Sequence, residues 1–263
     1  MREDWLDTRL QAVAACVDAE AALVADIGAD HGRLACALLT ARPALRMIVA
    51  DVSAGSLAKA QKLLEARGLL QRTELRVADG LDALAALGAG GVSAAPDAII
   101  IAGIGGATIR GILARGLAAE GLQSAICGAK LILQPNIEAP LLREWLCIHG
   151  FPLCEETVAR ASGRFYVILC ARRGAPMTLT PLQRALGPCL LAHRPKAFAG
   201  YLRWHGQVLA RTLSRLRRAR ERDAAREAEI AREIAWIKDV LGDVVPDTGQ
   251  NVSIEDREGD SGA

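Results

Sequence analysis

The chain has no C-x-x-C pair among its seven cysteines. That removes the simplest zinc and dithiol frameworks and leaves the thiols as core residues of a reducing compartment. Histidine is scarce, and His149, His193 and His205 are too dispersed for a metal site, so no metal is expected. There is no uninterrupted apolar span of roughly 18 residues, and the amino terminus, MREDWLDTRL, carries acids where a signal peptide carries an apolar core. The expectation is a cytoplasmic protein without membrane association and without an evident obligate protein partner. Excess charge is also missing: 32 basic against 30 acidic residues leave +2. A nucleic-acid partner therefore requires a local basic surface rather than a globally basic chain. One exists, because arginines strongly outnumber acids from Arg194 to Arg232, whereas Asp247 to Ala263 is polar and mostly acidic.

What is present is enough for a full α/β core: 263 residues, 51% of them hydrophobic, with room for a small second module. After an amphipathic helix around Trp5 to Val17, apolar strands are expected at Leu23 to Asp26, Met47 to Asp51, Thr73 to Val77, Ala98 to Ala102, Lys130 to Gln134 and Phe165 to Ala171. Helical patterns fall between them, at Leu34 to Leu39, Ser56 to Arg67, Ala107 to Arg115 and Pro140 to His149. This alternation predicts a doubly wound parallel sheet over residues 1–175, with ligands bound beyond the carboxyl ends of its strands. From 176 to 242 the pattern is helical. Pro195 is placed to open a helix, Leu202, Leu209, Leu213 and Leu216 form one apolar stripe, and Ile230, Ile234, Ile237 and Leu241 form a second. The charged stretch between the stripes suits either one long helix or a hairpin; a short coiled coil is the expected form. Residues 243–263 are expected to be disordered.

The motifs lie at the strand ends. In ALVADIGADHG, Ala22 to Gly32, a buried strand closes on Asp26 and enters a turn that Gly28 and Gly32 permit. Asp30 stands where a dinucleotide fingerprint has its second glycine, so nicotinamide and flavin are disfavoured. Asp51, followed by Val52, ends the second strand where such folds present an acid to ribose hydroxyls. Asp79 and Gly80 follow the third strand, the place where methyltransferases of this architecture hold an adenine edge with a carboxylate and a backbone amide. Three acid-ended strands in order point to S-adenosylmethionine. A second glycine turn, Ala102-Gly103-Ile104-Gly105-Gly106, lacks a third fingerprint glycine at Thr108 and suits close backbone approach to cofactor or base. The acid or Asn, two prolines and aromatic common in amino-methylating enzymes are missing there. Their place is open to Gln134-Pro135-Asn136, whose proline stops the strand and lets Asn136 reach a nucleobase edge or, alternatively, cap the next helix. His31 is either a general base or a group supporting the cofactor loop.

In order, R-L at Arg9-Leu10, D-I-G-x-D-H at Asp26 to His31, A-D-V at Ala50 to Val52, D-G at Asp79-Gly80, A-G-x-G-G at Ala102 to Gly106, Q-P-N at Gln134 to Asn136 and G-R-F-Y at Gly163 to Tyr166 resemble the bacterial tRNA (adenine(22)-N1)-methyltransferase family. The likeness continues through Gly187-Pro188, Arg194-Pro195, Phe198 and Tyr201-Leu202, and departs at Gly32-Arg33, where a small residue and Tyr are expected, and at Ile104, where Met is expected. The resemblance implies a Rossmann-like class I methyltransferase domain, an all-helical coiled-coil appendage, and methyl transfer from S-adenosylmethionine to N1 of an adenine in the tRNA D-arm region. On that basis Asp26, Gly28, His31, Asp51, Val52, Asp79, Gly80, Ala102 and Gly103 are expected to bind the cofactor. Asp30 and Asn136 are the expected catalytic pair, although Asp30 also suits the methionine amino group. Arg9, Arg110, Gln134, Pro135, Arg164 and Tyr166 are expected on tRNA. Two rival readings share the fold: a methyltransferase of a small molecule or protein, which would leave the arginine-rich helices for oligomerisation, and a tRNA-binding protein without chemistry.

Overall fold

The structure is a computed structural model that describes residues 6–85, 95–219 and 223–242. Among these residues seven strands form one sheet: β1 Leu23–Ile27, β2 Arg46–Asp51, β3 Thr73–Val77, β4 Ala98–Ile104, β5 Lys130–Pro135, β6 Leu153–Ala161 and β7 Arg164–Ala171. Their spatial order is β3-β2-β1-β4-β5-β7-β6. The helices are α1 Thr8–Ala15, α2 Arg33–Ala41, α3 Ala54–Ala66, α4 Gly106–Ala118, α5 Gln123–Gly128, α6 Ala139–Ile148, α7 Pro181–Leu186, α8 Pro188–His193, α9 Phe198–Arg217 and α10 Ala224–Gly242.

Alternate residues of the central strands feed two cores, as the pleat requires. Ile27, Ile101 and Leu133 face one side, against Ile109 and Leu113 of α4 and Leu146 of α6. Val24, Ile100 and Ile132 face the other, against Val13 of α1 and Leu34, Leu38 and Leu39 of α2. β1, β2, β3, β4 and β5 pair in parallel. The expectation of a wholly parallel sheet is corrected at its far edge, where β7 runs antiparallel to both β5 and β6. β6 itself escapes the sequence reading because LCEETVARA carries two carboxylates where an apolar run was sought.

The switch at β1 matters for function. β2 and β3 lie on one side of β1 and β4 and β5 on the other, so the chain reverses direction there and leaves a crevice over the carboxyl ends of β1 and β4.

The thiols are mainly core residues: Cys16, Cys36, Cys147, Cys170 and Cys189 are buried, and none is in a disulfide. Cys16, Glu155 and Cys170 converge closely enough to ligate a cation, but Lys130 Nζ already supplies positive charge there, 2.8 Å from Asp18 and 3.3 Å from Glu155. Burial opposes that charge, yet its hydrogen bond to Asp18 and the nearby acids hold the Lys130 ammonium above its ordinary pKa.

The helical segment begins with a capping box at Thr180 and Gln183 and Pro181 in the first turn of α7. Pro195 does not open a helix: it lies in the turn between α8 and α9, where its carbonyl accepts from Phe198 N–H at 2.7 Å. The choice between one long helix and a hairpin is settled by pairings that run antiparallel, His205 with Glu233 at 2.7 Å and Arg217 with Glu227 at 3.7 Å. The connecting residues 220–222 and the expected tail, residues 243–263, lie outside the described residues. The pair is fastened to the sheet edge by aromatic contacts of Phe165 on β7 with Tyr201 and Trp204 on α9. No described helix is long and apolar enough to cross a membrane.

Candidate active site

The loop after β1 is built around one carboxylate. Gly28 and Ala29 N–H donate to the Ala50 carbonyl, 2.8 and 3.0 Å. Asp30 N–H donates to Asp51 Oδ2 at 2.9 Å, while Ser53 N–H donates to Asp51 Oδ1 at 2.8 Å. Each Asp51 oxygen keeps a lone pair for an incoming hydroxyl. Gly28, Asp30 and Gly32 all have positive φ. A Cβ on Gly28 would meet nothing within 4 Å, which marks open space for a ligand, whereas one on Gly32 would stand 2.7 Å from Ala60 Cβ. The packing of α2 on α3 therefore favours glycine at position 32.

Asp26 is buried beneath this loop with Oδ2 unpartnered among the described residues. Burial, helped by the charge of Asp51, pushes its carboxyl up to about 7. Because the folded pKa lies above the unfolded value, the contribution to stability is full below about 4 and is lost as pH rises to about 7. Asp26→Asn is thus expected to be more stable than the wild type at pH 8, by on the order of a few kcal/mol, with the gap closing near pH 4. Thermal unfolding across that range checks it.

Asp79, after β3, is exposed and paired with Arg115 at 3.1 Å. Gly80 has positive φ, and a Cβ there would touch Ile112 at 3.0 Å. His31 Nε2 lies 3.2 Å from Lys59 Nζ, an ammonium that only donates, so this ring nitrogen accepts. It lies 3.5 Å from Asp30 Oδ1, which also receives Ser56 Oγ at 3.4 Å.

On the other side of β1, the loops after β4 and β5 interlock. Gly106 N–H donates to the Ile137 carbonyl at 3.1 Å and Asn136 N–H to the Ile104 carbonyl at 2.8 Å. A Cβ on Gly106 would stand 2.9 Å from the carbonyl oxygens of Ile137 and Glu138. Glu138 accepts from Ala107 N–H at 3.0 Å and so caps α4. The side chain of Asn136 caps nothing: its Nδ2 donates to the Gly103 carbonyl at 2.6 Å and its Oδ1 accepts from Gln134 Nε2 at 3.1 Å. Gln134 is fully buried, and its Oε1 receives Arg9 Nη1 at 2.6 Å. The Arg9 guanidinium in turn lies 5.7 Å from the centre of the Tyr166 ring.

A cleft of about 570 Å³ opens between these two halves. All nine residues expected on the cofactor line it, and so do Arg9 and Asp30. Gln134 and Asn136 adjoin it through Arg9 and Gly103, and Pro135 ends β5 between them. Asp30 lines the cleft from the side of β2, while Asn136 adjoins it on the opposite side, tied to the end of β4. Arg164 is exposed beside the β6–β7 turn. Arg110 borders a separate small hollow with Gly106, Glu138 and Leu141, away from the α4 face that carries Thr108 and Ile112 into the cleft. Thr108, Ile112, Ser56 and Leu10 were not anticipated. The i, i+4 spacing of Thr108 and Ile112 directly after a glycine turn was the available signal.

An acid at the end of each of the first three strands, a glycine turn at the fourth and an antiparallel hairpin at the far edge define a class I S-adenosylmethionine-dependent methyltransferase. Residues 24–239 match the family described as tRNA (adenine(22)-N(1))-methyltransferase, and the chain belongs to that family. It is 35% identical over 175 residues, 66% of this chain and 68% of the relative, to the tRNA (adenine(22)-N(1))-methyltransferase of Bacillus subtilis strain 168. Among solved structures, the Streptococcus pneumoniae protein Sp1610, a putative tRNA (m1A22) methyltransferase, matches with TM-score 0.74 and 30% identity over 90% of this chain and 99% of that one. The same protein in complex with S-adenosyl-L-methionine matches at TM-score 0.71 and 31% identity, over 89% and 98% of the two chains.

Proposed function

We propose that the acid-ended strands hold S-adenosylmethionine and that the Gln134–Asn136 segment receives the target base, in a chain whose activity is methylation of N1 of adenine 22 in tRNA. The observation that carries this is one cleft with carboxylates on its β1–β3 side and, adjoining its β4–β5 side through Gly103, the exposed and hydrogen-bonded amide of Asn136. The cofactor fits by three features of the chain. Asp26 is a buried carboxyl whose Oδ2 has no partner among the described residues and is suited to an ammonium, Asp51 has lone pairs left for ribose hydroxyls, and Gly28 leaves space for a ligand to lie against the backbone. Asp79 with the Gly80 amide takes the adenine edge.

S-adenosylmethionine supplies an electrophilic methyl group, which N1 accepts with its lone pair as the carbon–sulfur pair returns to sulfur and the adenine becomes cationic. The protein contributes position and charge placement. N1 brings its own lone pair, so the reaction needs neither a metal nor a covalent nucleophile; in a base pair that lone pair is occupied, and the nucleotide has to be flipped into the cleft. Asp30 accepts a hydrogen bond from the exocyclic amine and stabilises the cationic product. Its exposed carboxylate accepts from the Ser56 hydroxyl and lies beside the His31 imidazole, which leaves lone pairs for that bond. Asp30→Asn is expected to keep cofactor affinity and to lose methylation by about a hundredfold. Loss of both in calorimetry would instead place Asp30 on the methionine amino group.

We assign residues 1–175 to the chemistry and 176–242 to tRNA contact, in the cytoplasm where tRNA is found. Arg211, Arg215 and Arg218 are exposed on one face of the α9 region, suited to phosphates, and Arg164 and Tyr166 stand nearer the cleft. The test is a pair of tRNA transcripts with adenosine or guanosine at position 22. The first should gain one methyl group and the second none; equal labelling of both would overturn the assignment of the target.

A further inference from the structure

The amide groups around Asn136 form a chain whose polarity is fixed at both ends. Arg9 can only donate, so Gln134 must turn Oε1 toward it, at 2.6 Å. That leaves Gln134 Nε2 facing Asn136 and requires Oδ1 of Asn136 at 3.1 Å. Asn136 Nδ2 then faces the Gly103 carbonyl, which can only accept, at 2.6 Å. Neither amide can flip without leaving two donors or two acceptors opposed. Gln134 is fully buried, so water does not relax the constraint. Asn136, on the exposed rim, retains one N–H and one lone pair in a set orientation.

We propose that Arg9 and Gln134 are positioning residues that fix Asn136 to read the N6/N7 edge of the target adenine, leaving N1 free for the methyl group. The inference rests on the placement of the target base at this segment. A donor and an acceptor on one amide match adenine on either of two edges: N6 with N7, or N6 with N1. The second edge occupies the lone pair that has to be methylated, so only the first is compatible with the reaction. Asn136 accepts from the N6 amine and donates to N7. The same arrangement rejects guanine, which presents a second acceptor, O6, where the amine stands.

The experiment uses ligated tRNA in which the adenosine at position 22 alone is replaced by 7-deazaadenosine. This replaces N7 by a C–H group and does not weaken N1 as a nucleophile. The wild-type protein should methylate it with kcat/KM lowered about tenfold relative to the adenosine tRNA. Asn136→Ala should be slower on both and no longer discriminate between them. Gln134→Met, which leaves Asn136 in place but frees its amide to rotate, should lose the discrimination as well. Calorimetric affinity for S-adenosylmethionine should remain within about twofold of wild type in both variants, which reports that they are folded. Equal rates on both tRNAs with the wild type, or wild-type discrimination in Gln134→Met, would overturn the proposal. Absence of methylation on the adenosine tRNA would instead count against the target assignment on which the proposal rests.

Discussion

Asp51→Ala is expected to weaken S-adenosylmethionine binding by about a hundredfold or more in calorimetry. The carboxylate accepts from Asp30 N–H and Ser53 N–H, so it fixes the loop after β1 and the entry to α3 at once. Hydrogen bonds to a charged group contribute about 1.5–3 kcal/mol each, and the variant loses these two as well as the contact proposed for ribose. Asp51→Asn retains an acceptor for only one of the two amides and should fall between. Removing Asp51 also removes the lesser cause, after burial, that raises the Asp26 carboxyl, which offsets only part of the stability lost with the two hydrogen bonds. An unchanged dissociation constant would show that the cofactor does not lie over β2.

The largest expected effect on stability lies away from the cleft. Glu156→Ala should lower the unfolding temperature by about 10 °C, from roughly 3–5 kcal/mol at about 2–4 °C per kcal/mol for a chain of this size. Arg143 and Glu156 form an ion pair at 2.7 Å with both side chains fully buried. Arg143 also donates to the Arg184 and Ala185 carbonyls, while Glu156 Oε2 accepts from Cys189 N–H at 2.9 Å. Four elements, α6, β6, α7 and α8, therefore share one charge pair. Deleting the carboxylate leaves a guanidinium buried without its counter-charge. Replacing both partners by methionine should recover much of the loss, since it removes the desolvation of both charges. A drop below about 2 °C for the single variant would contradict this account. Because α6 begins just after the Asn136 loop, the network also ties the helical segment to the β4–β5 side of the cleft.

The parallel half of the fold was legible because β1, β2, β4 and β5 are apolar runs ended by glycine, acid or proline, and these residue types act locally. The three strand-end carboxylates that line the cleft, Asp26, Asp51 and Asp79, were legible for the same reason: position in the strand order is enough to place them. β6 was not, because Glu156 looks like a surface residue until Arg143, in another element, is seen to neutralise it. Whether Asn136 caps the following helix is decided by tertiary contacts: its side chain is held by Gly103 and Gln134, and the N-cap position of α6 is Glu138. The hydrogen bond from Arg9 to the buried Gln134, 125 residues away, is one that no local pattern announces.

The most direct test of the central claim is nucleoside analysis by mass spectrometry of unmodified tRNA incubated with the purified protein and isotopically labelled S-adenosylmethionine. The account predicts labelled 1-methyladenosine at about one per tRNA molecule. Label on a different atom or base, or tRNA left unlabelled by protein that binds the cofactor, would contradict it.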